Sequence, residues 1–143
     1  SVVFGLTAFF SALVLTILAS MTDGFLLPAI AGHCGSRPTT DCLAEASALL
    51  SLGGLQIEFM TRFSIVGVAV ATAAWSVALL TTKDVAKWTS AVGLVIAGCQ
   101  IVGLMNAFPR LTAANLLPIF AAQLSWFVLV AGLMIQRRGP FAE

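Results

Sequence analysis

Apolar residues run through this chain in four long blocks, and the polar positions between them are few and clustered. The blocks cover about residues 2–31, 57–80, 88–107 and 112–136. A helix needs about 20 mainly apolar residues to cross a bilayer, whereas a barrel strand needs only about 10. Lipid offers no partners to backbone N–H and C=O groups, so segments of this length are helices. The pattern predicts an all-α, integral membrane four-helix bundle forming a single domain over 1–143.

The intervals are unequal. Thr81 to Lys87 and Phe108 to Leu111 read as tight turns, which sets the last three helices side by side in alternating directions. Gly32 to Gln56 reads as a long loop. Within it, Gly35-Ser36-Arg37-Pro38 is rich in breakers. Asp41 to Leu52 then predicts a short amphipathic helix, capped by Thr40 or Asp41 and ended by Gly53-Gly54. Leu43, Ala46, Leu49 and Leu50, joined by Ala48, form its apolar stripe.

Ala29-Ile30-Ala31 resembles a signal-peptidase site. The stretch before it has no basic start and is longer than a signal-peptide core, so it is read as a retained helix.

Composition sharpens the picture. The chain is 59% hydrophobic and 9% charged, against roughly 25% charged residues in soluble domains. Its mean hydropathy is +1.04. The net charge of +1 and the absence of any basic run give no footprint for nucleic acid.

Lysine and arginine set the expected orientation, because they favour the cytoplasmic side. Lys83, Lys87, Arg137 and Arg138 fall on one face, Arg37 and Arg110 on the other. Both termini are therefore expected in the cytoplasm and the 32–56 segment outside, periplasmic if the membrane is a bacterial inner membrane. Trp88 beside Lys87 suits an interfacial aromatic belt.

Candidate chemistry is sparse. Cys34 and Cys42 share the outer segment, where an oxidising compartment favours a disulfide staple. There is no Cys-x-x-Cys to support a thiol-redox centre. His33, Cys34 and Cys42 are weak metal candidates, since their spacing matches no standard zinc site. The lone histidine gives no basis for haem, and no cofactor is expected. Cys99 reads as a packing residue.

The remaining polar residues gather toward the outer half: Asp23, then Glu58 with Arg62 one turn later, then Gln100, Asn106 and Asn115, with Gln123 near mid-depth. Ionisable groups within spans are costly and point to function or to fixed packing. Glu58 and Arg62, four apart, share a helix face. One reading is an Asp23–Arg62–Glu58 network that fixes the helices. The other is an outward-facing pocket for a headgroup, quinone or solute, built from Asp23, Glu58, Arg62, Gln100 and Asn115. Small residues at Gly67/Ala71 and Gly93/Ala97 predict close helix contacts.

No nucleotide, hydrolase or kinase motif is present. The expectation is a non-catalytic accessory or structural subunit of a larger membrane complex, with lipid, other subunits or further copies of itself as partners. A carrier using the pocket residues, and an extracytoplasmic redox or metal protein using His33, Cys34 and Cys42, are the alternatives.

Overall fold

The computed structural model describes residues 2–35, 39–80, 84–106 and 113–135, the side chains of 34, 84–86, 106, 113–115 and 134 excepted. These residues are almost wholly helical. Helix α1 covers Val2–Met21, a π-helical turn follows at Thr22–Leu26, and α2 continues over Leu27–Gly35. Helices α3, α4 and α5 cover Thr40–Leu80, Asp84–Asn106 and Ala113–Ile135. Four of the helical stretches are long and apolar enough to cross a membrane: Val2–His33, Thr40–Leu80, Lys87–Met105 and Leu116–Leu133.

The outer segment departs from expectation. The long loop over 32–56 is not there: α2 carries helix through Gly35, and α3 starts at Thr40 and runs unbroken for 41 residues. The cap is Thr39, one residue before the positions expected. Its Oγ1 accepts the Cys42 N–H at 3.2 Å, and its carbonyl accepts Leu43 N–H at 3.0 Å. Asp41 then lies in the first turn, where a carboxylate suits the helix dipole. Gly53-Gly54 does not end the helix. A Cβ at Gly53 would come within 2.5 Å of Leu27 Cδ2. Gly53 is there for close packing, and that contact offsets the roughly 1 kcal/mol that an interior glycine costs. The turns expected at 108–111 and Arg37, Arg110, Arg137 and Arg138 lie outside the described residues.

The chain divides into two compact units, one of Ser1–Phe10 with Ile65–Glu143 and the other of Ser11–Ser64. In the second unit α1, the π turn and α2 lie antiparallel to the first part of α3. Ser64 Oγ donates to the Ala12 carbonyl at 3.0 Å and lies 2.6 Å from Thr16 Oγ1. Further along, Leu27 meets Gly53, and α2 faces Cys42 to Leu49. The π turn serves this face. Thr22 is buried and Leu27 is half-buried, five residues apart, while Asp23, Gly24, Phe25 and Leu26 between them are exposed. The Leu27 N–H reaches back to the Thr22 carbonyl. Pro28 follows and has no N–H to contribute.

The other unit has a core of small and polar residues. Ala69, Ala71, Ala97, Thr72, Ser76 and Ser90 are buried, and Trp126 is the largest fully buried side chain. Gly93 lets Ser76 and the Trp126 indole approach, since an added Cβ would overlap both. Trp126 Nε1 donates to the Thr89 carbonyl at 3.1 Å. Trp75 lies parallel to Trp126, within 2°, at a ring separation of 6.4 Å, and Phe9 and Phe127 complete the aromatic group.

In both units large apolar side chains face outward, Phe10, Phe59, Phe63, Leu117 and Leu124 among them. Water-soluble folds bury such residues. Small residues inside and large ones outside is the arrangement of helices packed within lipid.

Candidate functional site

Several hydroxyls within the apolar helices are satisfied locally, which lets them sit there at little cost. Thr7, Thr16, Thr22, Thr72 and Ser125 each donate to the carbonyl four residues earlier. What distinguishes a few sites is bonding between helices.

The foremost is a buried amide ladder across three helices. Gln100 Nε2 on α4 donates to Gln123 Oε1 on α5 at 3.0 Å. Gln123 Nε2 donates to Thr72 Oγ1 on α3 at 2.8 Å, and Thr72 Oγ1 in turn donates to the Val68 carbonyl at 2.9 Å. All three side chains are at most 5% exposed. Gln100 Oε1 is buried without a protein partner, as is Ser76 Oγ nearer the aromatic group. A donated bond does reach that serine's backbone, from Ser90 Oγ to the Ser76 carbonyl at 2.5 Å.

Of the expected pocket residues, Glu58 and Arg62 meet as their spacing predicts. Arg62 Nη2 and Nε donate to Glu58 Oε1 at 2.5 and 3.1 Å. Both side chains remain about one-third exposed. Asp23 is exposed on the π turn. Gln100 belongs to the amide ladder instead of an ion-pair cluster. Asn115 lies in the first turn of α5, and its side chain is outside the description, as is that of Asn106.

A third feature was not expected. A cavity of about 410 Å³ opens between α2 and the start of α3, lined by Ala29, Ile30, His33, Cys42, Glu45, Ala46 and Leu49. On α3 the lining positions follow helical spacing, so a single face forms that wall. Among the described residues no three His, Cys, Asp or Glu side chains are grouped to hold a metal. The Cys34 side chain, one of the weak metal candidates, lies outside the description.

Sequence reasoning placed Gln123 near mid-depth without a partner. The signal for the ladder was the pair of amides in two neighbouring apolar helices, where each is the other's cheapest partner. It had no signal for the cavity, because that depends on α2 continuing beyond Ala31. Compared with known proteins, the chain matches no family model, no curated protein and no solved structure.

Proposed function

We propose that the chain is a non-catalytic subunit of a larger membrane protein complex. The observation that carries this is the length of α3 set against the leucines it exposes. At 1.5 Å per residue its 41 residues extend roughly 60 Å, about twice the hydrocarbon thickness. Helices α4 and α5 have 23 residues each, which is one crossing. Only three residues separate Leu80 from Asp84, so α3 ends and α4 begins at the same membrane face. The excess of α3 is therefore its N-terminal part, about 40–56.

That part still exposes Leu43, Leu49, Leu52 and Leu55, each at least half exposed. Lipid covers such residues within the bilayer and cannot cover them beyond it. A partner protein can, and apolar surface of this kind marks interaction sites. On the charge bias this arm projects from the extracytoplasmic face and both termini lie in the cytoplasm. Cys34 and Cys42 then form a disulfide that staples α2 to the first turn of α3. Cys99 is the only free cysteine among the described residues.

The carrier reading through Asp23, Glu58, Arg62, Gln100 and Asn115 has less to support it. The Glu58 carboxylate is engaged by Arg62, and the Gln100 amide nitrogen by Gln123.

The test is a photo-crosslinking residue in place of Leu52, activated in native membranes, followed by purification in a mild detergent and mass spectrometry. A discrete adduct with a different, co-purifying membrane protein is expected. A chain that crosslinks only to itself, or only to lipid, refutes the subunit reading.

A further inference from the structure

We infer that the cavity between α2 and α3 binds a primary ammonium group carried on a small apolar body, with Glu45 as the counter-charge. Leu49 lines this cavity and also belongs to the leucine-bearing surface discussed above, but the inference does not rest on the subunit reading. Its volume of about 410 Å³ falls within the range of pockets for small ligands.

Its walls divide by chemistry. Ala29, Ile30, Ala46 and Leu49 are apolar, Glu45 places a carboxylate among them, and His33 and Cys42 complete the wall. Asp41, one turn earlier on α3, adds a second negative charge beside that face. An anion would meet the Glu45 carboxylate in the cavity with the Asp41 charge nearby, and a neutral apolar molecule would make no use of either. An ammonium on an apolar stem satisfies both parts of the wall, because a charge-assisted hydrogen bond is stronger than a neutral one. Such a group has two sources: the headgroup of an ethanolamine lipid reaching up from the bilayer, or a free amphiphilic amine.

The test titrates the full chain in dodecyl maltoside with phenethylamine, phenethyl alcohol and phenylacetate, using ligand-observed NMR. Saturable binding of the amine is expected, with the alcohol weaker and phenylacetate weakest. Glu45→Gln should weaken the amine by about tenfold or more and leave the alcohol unchanged. Ala29→Phe, which fills the cavity and keeps the carboxylate, should remove both. Glu45 and Ala29 are exposed, so both variants should fold, as circular dichroism checks.

Added phosphatidylethanolamine that competes with the amine, where phosphatidylglycerol does not, assigns the site to the lipid headgroup. Lack of competition assigns it to a free amine. The inference is overturned if no saturable amine binding occurs, if Glu45→Gln binds the amine as wild type does, or if phenylacetate binds equally well.

Discussion

Replacing Gln123 with leucine removes the middle rung of the amide ladder, and the structure sets the size of the effect. Two interhelical bonds are lost, from Gln100 Nε2 at 3.0 Å and to Thr72 Oγ1 at 2.8 Å. In membranes such bonds are worth about 0.6 kcal/mol on average, with a maximum near 1.7. Thr72 keeps its own bond to the Val68 carbonyl and is not stranded. Gln100 is stranded: its oxygen is already unpartnered, and its nitrogen now joins it. An unsatisfied buried polar group costs about 1–3 kcal/mol. Gln123→Leu should therefore destabilise by about 2–4 kcal/mol.

The double variant Gln100→Leu with Gln123→Leu should recover much of this, because removing both partners leaves nothing stranded. Reversible unfolding from dodecyl maltoside by rising SDS fraction, followed by tryptophan fluorescence, measures both, together with the Gln100→Leu single variant. A double-mutant cycle then isolates the pair. Additive losses, or a Gln123→Leu variant within about 0.5 kcal/mol of wild type, would refute the ladder as an energetic link.

Gly93→Val should displace the Trp126 indole, because the new side chain occupies space held by Trp126 and Ser76. A red-shifted emission and a loss of at least about 2 kcal/mol on the same assay are expected, as for other overpacked cores. Glu58→Gln should change stability by less than about 1 kcal/mol, since the pair is one-third exposed and such pairs contribute little. A larger loss in the same unfolding assay would place that pair in a drier setting than its exposure indicates.

The parts of the fold that depend on local pattern were legible in the sequence. Four apolar blocks of span length predict four membrane-competent helices, and the i, i+4 spacing of Glu58 and Arg62 predicts their pairing. Glycine was harder to read. Gly53-Gly54 has the composition of a helix end, but in a tightly packed helix pair a missing side chain also makes room for a neighbour, here Leu27. The sequence does not say which use applies, because the neighbour is 26 positions away. For the same reason Gln100 was grouped with outer charges by depth, whereas its partner is set by which faces of α4 and α5 meet. In the sequence, only Pro28 and the Thr22-Asp23-Gly24 stretch before it mark the place of the π turn.

That π turn also fixes how far the first helix can sink. In an α-helix the Asp23 carbonyl would take its bond from Leu27, but Leu27 donates to Thr22. In a π register the donor would be residue 28, which is proline. Asp23 thus presents a carbonyl that neither helical register supplies, beside its own carboxylate, and hydrocarbon satisfies neither. The residue belongs where water reaches, at headgroup level. The turn therefore holds that end of α1 at the membrane surface, and it cannot slide into the hydrocarbon to follow a change in bilayer thickness.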